Sequence, residues 1–284
     1  MITEVGELIQ RVAPTKEIAK DSINLFEEKI SKEFKQKAET EERRASLVTK
    51  ISEPYITSVI GNMNISTPDF KSLKELALDE HELHRQKLKE EHSDVEERAR
   101  YMLRIDERYN IMGPPYDIDW TSGAIGYVHQ NTGEFGISPF NGQAAAAVGI
   151  FVSPIQDVIG RFTAYVPVTY SWFNWIINTG YASTNGGIGV MIYDVQSGKT
   201  LLDNRAKLWN NTLVGAGFSN ESETSTYLSS TSAAESYFAM TGGDLYLVWI
   251  WCWGEAKYNG SPALSMASIA GKIPFVAVQS WPTR

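Results

Sequence analysis

The 284-residue sequence predicts an α+β protein: an N-terminal amphipathic helical hairpin or bundle, then an antiparallel β-sandwich of jelly-roll or lectin-like kind. Three observations predict it. Before residue 110 the chain is dense in Glu, Lys and Arg, has no tryptophan, and repeats its apolar residues every three or four positions. Beyond that point charges are sparse, all eight tryptophans occur, and short apolar runs alternate with turn signals. Between the two lies "NIMGPPYDIDW", residues 110–120, where Gly113-Pro114-Pro115 cannot continue a helix. A boundary there gives a helical domain over 1–112 and a sandwich over 113–284.

In the first half, Ile23, Phe26, Ile30, Phe34, Ala38, Ala45 and Val48 place a helix from Thr15 to Ser52, with Pro54 expected to stop it. A short helical piece over Tyr55–Met63 follows. "STPDF" is a start signal, because Thr67 can cap, Pro68 suits the first turn and Asp69 favours the positive end of the dipole. The next helix carries Phe70, Leu73, Leu76 and Leu88. A capping box at Ser93 and Glu96 restarts it toward Tyr109.

In the second half, strands are expected at "AIGYVHQ", "GEFGISPF", "AAAAVGIFVS", "RFTAYVPVTYSWFNWII", "GIGVMIYDV", "KTLLDNRAKLW", "SYFAM", "LYLVWIWCW" and "KIPFVAVQSW". Asn185-Gly186-Gly187, Ser197-Gly198 and Gly242-Gly243-Asp244 are among the turn signals between them. Crossover helices have no room, so the sheets are antiparallel. Pro167 within the long run implies an edge strand or two strands joined at a bend. Ser219–Ser236, rich in Ser and Thr, is read as a surface loop or weakly paired edge, with a membrane-inserting hairpin as the sharper alternative.

The stretch "LYLVWIWCW" is apolar on both faces. Trp249, Trp251 and Trp253 share one, and Tyr246, Val248, Ile250 and Cys252 share the other. A strand with one wet side alternates apolar and polar residues, so this one needs a cover on each side. The expectation is that the tryptophan face fills the inter-sheet core while the Cys252 face meets helix.

Composition narrows the function classes. A formal net charge of −8 and no basic patch argue against nucleic acid. One cysteine allows neither an intrachain disulfide nor a cysteine-rich metal site. The N-terminus lacks a secretory pattern and no apolar run spans a membrane, so cytoplasmic synthesis is expected, with release by a non-classical route left open.

Catalytic patterns fail in turn. "SGKT" at 197–200 has tyrosine at 193 where a phosphate loop needs glycine, and a hairpin turn accounts for it better. His81 and His84 are three apart, not the four of zinc proteases, and no metal site is assigned. No nucleophile elbow occurs, and Cys252 lies mid-strand between tryptophans. His129 reads as a buried structural imidazole, with a ligand contact as the alternative. No catalytic residue and no cofactor are assigned.

Aromatic residues carry what remains. Tyr170, Trp172, Trp175 and Trp209, with Asn185 to fix hydroxyls, are the candidate ligand-binding residues, since sugars stack on aromatic rings and bond to amides. The expected function is a non-enzymatic binding or assembly protein, homo-oligomeric, whose sandwich recognises a glycan or cell-surface receptor. Two alternatives stand: a pore-forming or cell-targeting toxin that meets membrane only after rearrangement, and a glycosidase using Asp117, Asp119 or Glu255.

Overall fold

The computed structural model describes residues 8–60, 109–123, 125–177, 180–215, 217–228, 237–259 and 263–283, together with isolated positions between 75 and 101. Two antiparallel sheets face each other. The first contains β1 (Ile9–Arg11), β3 (Ile118–Ser122), β6 (Gly142–Pro154), β8 (Tyr181–Asp194), β9 (Lys199–Val214) and β12 (Tyr246–Asn259). Its order is β6-β12-β8-β9, with β1 and β3 both paired to the free side of β6.

The second sheet contains β2 (Asn110–Met112), β4 (Gly126–His129), β5 (Glu134–Ile137), β7 (Val158–Ile176), β10 (Gly217–Leu228), β11 (Tyr237–Met240), β13 (Ala263–Lys272) and β14 (Val276–Pro282). Here β7 is central. It pairs with β13 and β14 along one side and with β10 and β11 along the other. Both ends of the first 112 residues thus contribute a strand, β1 to the first sheet and β2 to the second.

The described residues form one continuous helix, α1 (Lys16–Ile60), and not the predicted helical hairpin or bundle. The reason lies in what covers the helix. Phe26 and Ile30 are buried against the outer face of the first sheet, with Ile18, Ile23 and Phe34 packed around them. That apolar stripe is satisfied by strands, so α1 needs no helical partner there. Nor does Pro54 end it: a proline removes only its own donor, and α1 runs on to Ile60. The stretch expected as a second helix, with its Ser93–Glu96 capping box and the His81–His84 cluster, lies outside the described residues apart from isolated helical positions.

The two faces of β12 are the reverse of the expectation. Tyr246, Val248, Ile250 and Cys252 point into the inter-sheet core, with Val148, Ile150, Val166, Val168, Ile188 and Val190. Trp249, Trp251 and Trp253 point outward, beneath α1, where Phe26 stacks on Trp249 at 4.5 Å between ring centroids. The neighbouring strands explain the choice. Five of the six residues flanking the three rings are Gly or Ala: Trp249 lies between Gly149 and Met191, Trp251 between Ala147 and Gly189, and Trp253 between Ala145 and Gly187. Large rings lie flat most readily over small residues, whereas the roughly 10 Å gap between sheets suits interdigitated β-branched side chains. A Cβ at Gly189 would stand 2.5 Å from the Trp251 Nε1. Gly189→Ala is therefore expected to lose about 1–3 kcal/mol in urea unfolding, since the indole must shift under a packed helix.

Three further expectations are corrected. Pro167 lies in a central strand, not at an edge or a bend: β7 is continuous from 158 to 176. Residues 165–167 face the break between β13 and β14, where the register passes from Gly271–Val168 to Val276–Ala164, so that side loses no ladder partner. Over its first part the Ser/Thr-rich segment is an edge strand, the second of the two readings given for it, and not a loop: β10 pairs with β7 over all 12 residues, from Gly217–Ile176 to Leu228–Tyr165. Residues 229–236 lie outside the described residues. Finally, His129 is exposed on β4, 5.4 Å from the Tyr127 ring, because β4 is an outlying strand paired only with β5 among the described residues.

Candidate functional site

β10 forms an edge of the second sheet, and its register with β7 decides which candidate side chains meet. On the inward face Glu221 lies opposite Trp172, and Glu223 opposite Tyr170. Trp172 Nε1 donates to Glu221 at 3.2 Å, and the Tyr170 hydroxyl donates to Glu223 at 2.6 Å. Trp209, arriving from β9, stacks on Tyr170 with centroids 5.2 Å apart and planes 15° from parallel. Burial, aided by the Glu223 carboxylate, raises the Tyr170 pKa and keeps that hydroxyl a donor.

A polar network continues from this cluster. Asn174 bonds Thr184 and Asn211, Ser265 donates to Asn174 at 2.7 Å, and Asn211 reaches Ser219 on β10. Three candidate rings are therefore brought together, but as a buried floor: Tyr170 is 4% exposed, Trp172 7% and Trp209 4%. They hold each other and orient two exposed carboxylates, and they offer no open ring face.

The outward face of the same strands differs. Trp175 lies across from Phe218 on β10 and from Leu264 on β13, and one pair further on Phe173 lies across from Asn220 and Met266. Trp175, Phe173 and Phe140 are partly exposed around the buried Leu264 and Met266. Phe218 is 72% exposed. This is a shallow aromatic face with an amide beside it.

Asn185 goes elsewhere. It is buried beneath α1, where its Nδ2 donates to Glu255 at 2.8 Å and its Oδ1 accepts from Lys37. Glu255 also pairs with Lys37 at 2.8 Å and with Lys257, and accepts from Gln143 at 2.7 Å. Burial alone would raise the Glu255 pKa. The Lys37 and Lys257 ammoniums and the Asn185 amide outweigh it and hold the carboxyl down at about 2. With every oxygen engaged, Glu255 fastens the helix to the sheet.

The same saturation applies to Asp117, which binds Arg11 at 2.7 Å and accepts the Phe151 N–H at 2.7 Å. The two acids do not form a pair. Glu255 is opposite Gln143 and Asp117 bonds Gly149 on the same strand, about 20 Å apart at the rise of a β-strand. Glycosidase carboxylates stand roughly 5–9.5 Å apart. Ser197 and Gly198 lie in the β8–β9 turn and Lys199 and Thr200 begin β9, with the Asp194 carboxylate accepting from the Gln196 and Ser197 amides. Cys252 is buried mid-strand, which pushes its thiol well above the ordinary range. Among the described residues no group of three or more His, Cys, Asp and Glu is placed to hold a metal. No described helix is long and apolar enough to cross a membrane.

Sequence reasoning missed Phe218, Asn220, Glu221 and Glu223. A signal was present in "GFSNESE", where Phe218, Asn220 and Ser222 alternate with Ser219, Glu221 and Glu223. The high serine content obscured that period-two pattern.

No family model matches this chain, and no curated protein does. Among solved structures, the enzymatically active domain of tailspike protein 4 from bacteriophage CBA120 is 14% identical, with a TM-score of 0.17 over 58% of this chain and 19% of that one. Carbohydrate-binding modules of the β-sandwich superfamily are 8% identical, with a TM-score of 0.19 over 59% of this chain and 56% of theirs. A structure of infectious bursal disease virus is 8% identical, with a TM-score of 0.16 over 58% of this chain and 39% of that one. Likenesses of this size carry no functional argument.

Proposed function

We propose that this protein is a non-enzymatic binding protein that holds a carbohydrate on the outward face of β10 and β7. The observation that carries the proposal is the Trp175–Phe218 pair. A phenylalanine 72% exposed, beside a partly exposed tryptophan and Asn220, is an arrangement that a packed core does not require. The C–H faces of a sugar ring stack on such side chains, and an amide at the margin fixes a hydroxyl by donating and accepting. The buried Tyr170, Trp172 and Trp209 support the platform from the other side of the sheet.

The test is a titration of the full chain with a panel of soluble glycans, followed by tryptophan emission and calorimetry. Phe218→Ala is expected to weaken binding by about tenfold, or roughly 1.4 kcal/mol, with an unchanged melting curve because the ring is exposed. Trp209→Ala is expected to lower the melting temperature instead. No binding across the panel, or binding indifferent to both Phe218→Ala and Trp175→Ala, rejects the proposal. In that case the same face would serve assembly, and sedimentation would show Phe218→Ala shifting a self-association equilibrium.

A further inference from the structure

The aromatic platform has a definite outline. Outward-facing residues of the second sheet form rows across the strands. One row is Phe218, Trp175 and Leu264, and the next is Asn220, Phe173 and Met266. Phe140 extends the second row, since it bridges Met266 on the side of β13 away from β7. Three strand spacings of about 4.8 Å therefore separate β10 from Phe140, roughly 14 Å in all. Leu264 and Met266 are buried between them, while Phe218 and Asn220 are exposed and Trp175, Phe173 and Phe140 partly so.

Along the strands the platform ends. The third row holds Ser171 and Ser268, which are 6% and 3% exposed. The two open rows stand about 7 Å apart. The strip is thus long across the strands and narrow along them. It is also uncharged: residues 138–143, 162–176 and 263–271 contain no Asp, Glu, Lys or Arg. Glu221 and Glu223 on β10 turn to the other face, where Trp172 and Tyr170 donate to them.

We infer, with carbohydrate as the occupant of this face, that the ligand is a neutral, linear oligosaccharide of about four rings laid across the strands from Phe218 to Phe140. A β-1,4-linked chain of sugars with equatorial hydroxyls is flat and advances by about one strand spacing per ring. Three advances carry it from Phe218 to Phe140, with Trp175 and Phe173 beneath its second ring. Its C–H faces stack on these side chains, and Asn220 bonds a hydroxyl at the margin. Charge sets the class. An acidic sugar would meet no cation on the strip among the described residues, two carboxylates at the edge of the sheet, and a chain of net charge −8. Phe140 sets the length of ligand that is held, because it meets only the far end.

The test is calorimetry on the full chain with cellobiose, cellotetraose, cellohexaose and the acidic tetragalacturonate. Cellotetraose is expected to bind at least about tenfold more tightly than cellobiose, with little further gain at cellohexaose. Phe140→Leu keeps an apolar cover over Met266 and should erase most of that gain while leaving cellobiose affinity unchanged. The length series uses the unaltered protein, so it decides the question even if Phe140→Leu lowers the melting temperature. Equal affinity for cellobiose and cellotetraose overturns the inference, as does tetragalacturonate binding as tightly as cellotetraose. Binding of other glycans but of none of these cello-oligosaccharides overturns it too, and leaves carbohydrate recognition standing. Absence of binding to every glycan rejects both.

Discussion

Trp249→Ala is expected to destabilise the protein by about 3–5 kcal/mol, the range for removing a large aromatic from a closed core. Trp249 is 1% exposed and forms the centre of the contact between α1 and the first sheet. It stacks on Phe26 at 4.5 Å, and Phe26 in turn meets Trp120 edge-on at 5.0 Å and Trp251 at 5.9 Å. Removing the indole therefore takes away the stacking partner of Phe26, the ring that Trp120 and Trp251 also meet. Opposite it on β6 is Gly149, which offers no side chain to refill the space. The measurement is a urea melt paired with amide hydrogen exchange. Exchange in α1 should accelerate most, because the inter-sheet core on the other face of β12 keeps its own contacts. A melt unchanged within 1 kcal/mol, or uniform acceleration across all strands, would contradict this account.

The second large effect is electrostatic. The Glu255 carboxyl, 1% exposed, is held at about 2 instead of its ordinary 4.5. Its folded-state pKa is depressed, so its contribution is fully present above the unfolded value near 4.5 and is lost as pH falls through about 2. The displacement corresponds to about 3 kcal/mol, and less where the partly exposed Lys37 is screened by solvent. Stability should thus fall steeply between pH 4.5 and 2. Glu255→Gln should remove about 2–3 kcal/mol at neutral pH and flatten the curve across that window, because two lysines lose their counter-ion. Thermal melts at half-unit steps would decide it. An identical slope in the wild type and Glu255→Gln would assign the acid transition to other carboxylates.

Both predictions concern a junction that the sequence foreshadowed only in part. The two-sided apolarity of "LYLVWIWCW" required a cover on each face, and a sheet and a helix supply those covers. Which face took which cover was readable in principle from Ala145-x-Ala147-x-Gly149 and Gly187-x-Gly189, since bulky rings need small opposites. That inference needs the strand register, and the register joins residues about sixty (β8) to a hundred (β6) positions apart. Bulk alone pointed the wrong way, placing the largest side chains where β-branched residues pack better.

The candidate site followed the same division. The sequence grouped Tyr170, Trp172 and Trp175 as one candidate set, although strand alternation puts Trp175 on the face opposite the other two. Their environments depended on β10, whose serines and threonines made it resemble a loop. Pairing with β7 buried the Tyr170 side beneath Glu221 and Glu223 and left the Trp175 side beside an exposed Phe218. Asn185 looked like a turn residue that could meet a ligand, yet Glu255, seventy positions away, bonded it beneath the helix.

By itself, the sequence determined the antiparallel β architecture of the C-terminal part, the positions of most of its strands, and the helix that begins near Thr15. Those properties are local, set by periodicity, proline and glycine within a few residues. Only the tertiary structure decided that α1 lies on the first sheet without a helical partner among the described residues, and which face of β12 it covers. It also decided which tryptophans are closed to ligands. Each of those outcomes turns on the side chain that a distant strand places opposite, and residue spacing along one segment does not encode it.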